Sequence, residues 1–194
     1  MKANEKKTWW RRLLVRVGVV MVMAGLGCVA LFFVGLPGGT AGSIPTESEP
    51  APEVMGPADT ILYLTVPKIG LKDVKVHDSL SEEKLGESTV HVPGTGFPWQ
   101  QGANTYIAGH RMGFFGTNSF LVFFRLNELE SGDEIILKDS TGNEYVYRVT
   151  GGMVVAPEDV EVMVPVAGKS VVSLQTCTLP DFSNRLIVRG ELVS

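Results

Sequence analysis

The apolar positions fall into short runs separated by polar or Gly/Pro-rich breaks, and most alternate with a period of two. That period belongs to strands with one face buried. Thr60–Val66 predicts a first strand, Pro67-Lys68-Ile69-Gly70 a turn, and Leu71–Val76 a returning strand. Leu80–Leu85 predicts a short helix, and Val90–Gln101, with Pro93, Gly94, Gly96 and Pro98, a loop. Asn104–Gly109 is a strand leading into His110-Arg111, followed by loop over Phe114–Asn118. Ser119–Glu130 predicts a helix that packs Phe120, Phe123, Phe124 and Leu126 inward. Glu134–Lys138 and Glu144–Val149 flank Ser140-Thr141-Gly142-Asn143, a hairpin signal. Val154-Val155 extends that edge, Pro157–Val160 makes a helical turn, and Val171–Cys177 and Arg185–Val193 close the chain. About eight short strands with little helix predict an all-β fold, an antiparallel barrel or sandwich.

One run breaks the pattern. Val17–Leu36 is 20 residues without a charge, long enough to cross a bilayer. Lys2, Lys6, Lys7, Arg11, Arg12 and Arg16 precede it against the single acid Glu5, so the N-terminus is expected in the cytoplasm and the rest outside. A cleaved signal peptide would have a shorter apolar core, and Thr40-Ala41-Gly42-Ser43 is only a fair cleavage site. A retained single-pass anchor is the better reading, with Cys28 packing inside the membrane. Residues 37–58 hold five prolines and three glutamates without apolar periodicity, a solvated tether spanning ~25 Å as a coil. The expected organisation is therefore a basic segment 1–16, a transmembrane helix 17–36, a linker 37–58 and a folded domain 59–194.

Charge follows that division. The net −4 leaves eleven basic against 20 acidic residues outside the basic N-terminal segment, a balance of −9. No basic patch is present, which argues against nucleic acid as a partner. There is no Gly-rich phosphate loop and no Cys/His cluster with metal-ligand spacing, so neither cofactor nor metal is expected.

Cys177 is the one cysteine of the outer domain, where disulfides are the usual use of the residue. It ends one strand, and Arg185 begins the next after the loop Thr178–Asn184. If the strands pair, a thiol and a guanidinium face each other, and a nearby cation favours thiolate over thiol. Of the three histidines, His77 beside Asp78 is expected to be exposed and His91 to pack over a loop. His110 ends a strand. An imidazole at one strand end facing a cysteine at another is the layout of thiol acyl transfer.

Three segments carry a family resemblance. Thr105-Tyr106-Ile107-Ala108-Gly109-His110-Arg111, Ser173-Leu174-Gln175-Thr176-Cys177 and Arg185-Leu186-Ile187-Val188-Arg189 resemble, in order, the His, TLxTC and Arg motifs of the sortases. Those are membrane-anchored cysteine transpeptidases, mainly of Gram-positive bacteria. Ser173 stands where the first Thr of the motif is usual. The short Cys-to-Arg loop and Pro93-Gly94-Thr95 resemble class E, with classes D and F as alternatives.

The resemblance implies a closed eight-stranded β-barrel behind the N-terminal transmembrane helix. It implies cleavage of an LPxTG-like or LAxTG sorting signal between Thr and Gly, and transfer of the acyl group to an amine of a peptidoglycan precursor or a pilin. Cys177 would be the nucleophile, His110 the acid and base, Arg185 the oxyanion donor, and Thr176 a wall of the substrate groove. The implied partners are secreted proteins bearing that signal, for surface anchoring on the cell wall. Two other readings are a different extracytoplasmic cysteine hydrolase and a non-catalytic anchored β-barrel binding module.

Overall fold

Alternation along the strands decides the architecture. In the computed structural model, which describes residues 56–194, Leu62, Leu64 and Val66 of β1 (Leu62–Val66) are fully buried, while Tyr63 and Thr65 between them are half-exposed. β5 (Glu134–Asp139) repeats this with Ile135 and Leu137. The other strands are β2 (Leu71–Asp78), β3 (Thr89–His91), β4 (Asn104–Ala108), β6 (Glu144–Val155), β7 (Val171–Cys177) and β8 (Arg185–Leu192). They close into a barrel in the order β1-β2-β3-β4-β7-β8-β6-β5. Its inward side chains, among them Val76, Ile107, Tyr147, Val149, Val172, Leu174 and Val188, form one core. Burying one Leu or Ile of this kind stabilises by about 1.5–3 kcal/mol. The basic segment, the expected span and the linker up to residue 55 lie outside the described residues. Among the described residues no helix is long and apolar enough to cross a membrane.

The barrel is mixed, where the sequence predicted antiparallel pairing. β2–β3 and β4–β7 are parallel. A tight turn cannot join parallel strands. The helix Glu82–Glu87 makes the first crossover, its N-terminus capped by Ser81 Oγ, which accepts from the Lys84 amide at 3.2 Å. The second parallel pair encloses everything from Gly109 to Ser170. β6 is one continuous strand of 12 residues, with a register shift between Val149 and Gly151. Gly151, at φ +153°, supplies the bulge that bends β6 between its partners β5 and β8. The β5–β6 turn is tied at Asp139, whose carboxylate accepts from the Thr141 and Asn143 amides, the Thr141 hydroxyl, Asn143 Nδ2 and the Tyr145 hydroxyl, all at 2.7–3.1 Å.

Ser119–Glu130 is not the expected helix. It is a series of turns ending in a 3-10 helix at Leu126–Glu128. Leu121 has φ +55°, and the amides of Leu121 and Phe123 donate to Met112 O and His110 O instead of to helical partners. Phe123 and Leu126 are buried in the core as expected, whereas Phe120 and Phe124 stay exposed.

Candidate active site

Strand register brings the three motif residues together. β7 and β8 are antiparallel, and Cys177 pairs directly with Arg185. β4 and β7 are parallel, with Ala108 opposite Gln175. The Gly109 amide continues that ladder by donating to Gln175 O at 3.0 Å. His110 follows directly, two residues past Ala108 as Cys177 is two past Gln175. His110, Cys177 and Arg185 therefore stand at the ends of three neighbouring strands. Two constraints hold the His110 end. The Phe123 amide donates to His110 O at 3.2 Å, and Gly109 has no room for a side chain, since a Cβ there would sit 2.6 Å from the Phe123 ring.

Cys177 is a free, half-exposed thiol. His110 is half-buried, with the Phe114 ring edge-on at 5.5 Å. Arg185 Nη1 donates to Phe182 O and Asn184 O, both at 3.2 Å, and its other nitrogens have no protein partner among the described residues. The loop between the strands ties itself together. The Thr178 amide donates to Asn184 O at 3.0 Å, and the Ser183 amide and hydroxyl hold the Asp181 carboxyl below its usual range.

Other residues expected to matter lie elsewhere. Thr176, expected along the groove, is 2 % exposed and belongs to the inward face of β7 with Val172 and Leu174, opposite to Cys177. Its hydroxyl has no hydrogen-bond partner. His91 is buried, with Nδ1 at 2.9 Å from Asp78 Oδ1 and Nε2 at 3.0 Å from Thr95 Oγ1, and it packs on Phe97 as a fold element. His77, expected to be exposed, is largely covered beside Glu87, and burial followed by the charge of Lys75 pushes its pKa down.

Sequence reading missed a second layer on the outer face of the same strands. Arg189 pairs with Ser173 across β8–β7; its Nε donates to Ser173 Oγ at 3.2 Å and its Nη2 to Val162 O at 2.9 Å. Ser173 Oγ donates to Asn104 Oδ1 at 2.9 Å, and Asn104 Nδ2 donates to Val162 O and Val164 O. This network clamps the 156–170 strap, which carries the 3-10 helix Val160–Met163, over β4, β7 and β8. Between that clamp and the strand ends that carry His110, Cys177 and Arg185, the Tyr106 hydroxyl donates to Gln175 Oε1 at 2.7 Å. Arg111, directly after His110, is buried with no carboxylate partner among the described residues. Its Nη2 donates to Asn127 Oδ1 at 2.6 Å and its guanidinium lies 5.8 Å from the Phe124 ring. Burial pushes its pKa down. Among the described residues no group of His, Cys, Asp and Glu could hold a metal ion.

Comparison with known proteins accords with this arrangement. A family model described as "Sortase domain" matches residues 64–193. "Sortase A" of Bacillus anthracis is 34 % identical over 155 residues, 77 % of this chain and 67 % of that protein. "Sortase A" of Streptococcus agalactiae serotype III (strain NEM316) is 36 % identical over 92 residues, 47 % of this chain but 37 % of that protein. Among solved structures, sortase A from Corynebacterium diphtheriae superposes with a TM-score of 0.62 at 26 % identity, covering 70 % of this chain and 61 % of that one. Sortase C-1 from Actinomyces oris gives 0.62 at 28 % identity, covering 71 % and 76 %. The chain thus spans less than two thirds of the length of some of these relatives.

Proposed function

The chain belongs to the sortase family of cysteine transpeptidases, and from that premise we propose that it cleaves a C-terminal sorting signal and joins the new acyl end to an amine. The observation that supports this reading is the Cys177–Arg185 pair across β7–β8, with β4 leading into His110 alongside β7. In the first half-reaction Cys177 Sγ, as thiolate, attacks the acyl carbonyl of the signal's Thr. The C–N bond breaks, and His110 gives its proton to the departing amine. In the second, an amine attacks the thioester carbonyl. The C–S bond breaks, the sulfur leaves as thiolate, and His110 takes the amine's proton. Arg185, held through Nη1 by Phe182 O and Asn184 O, turns its other nitrogens to the oxyanion that forms in each half. There a fixed donor counts more than in water, because the charge it meets is new in the transition state.

The signal is of the LPxTG or LAxTG type, and the acceptor is an amine of a peptidoglycan precursor or a pilin lysine. The class E reading rests on the short Thr178–Asn184 loop and on Pro93-Gly94-Thr95. Membrane attachment through Val17–Leu36, with the barrel outside the cell, is supported by the apolar run and the cations before it.

The test is a screen of both signal peptides with glycine and diaminopimelate as amines, the products read by mass spectrometry. The expected result is a ligated product in which the amine replaces Gly and the residues after it. Hydrolysis alone, with no ligation for any amine, would make the chain a protease and not a transpeptidase.

A further inference from the structure

The face of β7 that carries Cys177 holds three other side chains, Gln175, Ser173 and, at the far end, the buried Val171. Beyond Cys177 the strand gives way to the Thr178–Asn184 loop, so a peptide attached at the thiol can follow β7 only back over Gln175. Ser173 is closed off, fully buried beneath the strap that Arg189 and Asn104 hold. Gln175 is therefore the one half-exposed side chain of β7 between the thiol and the strap.

Its amide is also oriented. The Tyr106 hydroxyl donates to Gln175 Oε1, and Tyr106 is fully buried, so that burial raises its pKa to about 12 and the phenol keeps its proton. With the oxygen end occupied, the NH2 end carries two donors. Neither has an acceptor among the described residues. Side chains two apart on a strand are separated by about 7 Å, and so are equivalent groups two residues apart in an extended peptide. A donor peptide acylated on Cys177 thus brings the carbonyl two residues before its acyl residue over Gln175.

Resting on the transpeptidase reading above, we propose that Gln175 is a substrate-binding residue. Its Nε2 donates to that backbone carbonyl, and Tyr106 is the positioning residue that fixes the amide. The contact reads peptide backbone and not side chain. It holds the donor extended along β7 and leaves the His110 side of the thiol free for the amine.

The experiment uses the full chain, a sorting-signal peptide, and an analogue in which a methylene replaces the carbonyl in question. Gln175→Ala should lower kcat/KM about 5–10-fold, mainly through KM, the scale of one lost hydrogen bond. Tyr106→Phe should lose less, and the double variant no more than Gln175→Ala alone. Wild type should disfavour the methylene analogue by a similar factor, and Gln175→Ala should not discriminate. Equal kcat/KM for Gln175→Ala and wild type, or equal discrimination by both, would overturn the proposal. Alkylation of Cys177 by a small charged thiol reagent separates the two levels. A reactive Cys177 with no Gln175 effect rejects this contact alone, whereas an inert Cys177 in wild type rejects the active site and this contact with it.

Discussion

Replacing Arg185 and Arg189 one at a time separates two arginines that share a face of β8. Arg185 stands opposite Cys177, and Arg189 stands opposite Ser173, about 13 Å further along the strand. Only Arg185 can meet an acyl carbonyl held at the thiol. Arg185→Ala should cost two to three orders of magnitude in kcat/KM, about 2.7–4 kcal/mol, the scale of one lost oxyanion donor. Arg185→Lys should recover part of that, because an ammonium keeps the charge but not the planar fork. Arg189→Ala removes two hydrogen bonds from a charged donor, to Ser173 Oγ and Val162 O. Asn104 still donates to Val162 O and still accepts from Ser173 Oγ, so the loss is discounted to about 1–3 kcal/mol of stability. For a domain of this size that is a fall in Tm of roughly 3–10 °C, with kcat/KM within severalfold of wild type at 25 °C. The assay is peptide cleavage with each variant, after a thermal melt shows it folded. A folded but dead Arg189→Ala beside an active Arg185→Ala would refute the reasoning from register.

Three further outcomes rest on particular contacts and segments. Burial works to raise the Asp139 pKa, but hydrogen bonds from Thr141, Asn143 and Tyr145 outweigh it and hold the carboxyl below its usual range. Its contribution to stability should be full above about pH 4 and lost as pH falls through the folded value. Asp139→Asn should therefore cost about 2–4 kcal/mol in urea melts at pH 7, and the gap to wild type should narrow in acid. Gly109→Ala should cost about 1–3 kcal/mol and lower activity, since the new methyl meets the Phe123 ring that braces the His110 end. Removing residues 1–36 should leave a soluble barrel that still cleaves peptide while the full chain partitions into membranes. An insoluble truncation would assign the apolar run to the fold.

Where local pattern dictates structure, the sequence could be read. The β5–β6 hairpin, the alternation in β1 and the facing ends of β7 and β8 were visible, because each depends on neighbours in the chain. β3 carries no such signal: its three residues, Thr89–His91, are too few to show a period, and their strand character comes from β2 and β4 on either side. Parallel pairing was hidden for a similar reason, since alternation has no direction. The approach of His110 to Cys177 depends on one such pair, β4–β7, and could be placed from the sequence only by resemblance. The helix expected over Ser119–Glu130 lost to tertiary hydrogen bonds at His110 and Met112. Thr176 is the instructive case. Adjacent residues on a strand face opposite ways, so a groove-facing Cys177 already implied an inward Thr176.

The most direct test of the central claim is intact-mass spectrometry of the enzyme mixed with sorting-signal peptide and quenched in acid before amine is added. Wild type should gain the mass of the peptide's acyl portion, the adduct should map to Cys177, and amine added to an unquenched portion should discharge it as ligated product. Cys177→Ala should show no adduct and no product. Ligation by Cys177→Ala, or an acyl adduct on another residue of the wild type, would contradict the assignment of Cys177 as the nucleophile.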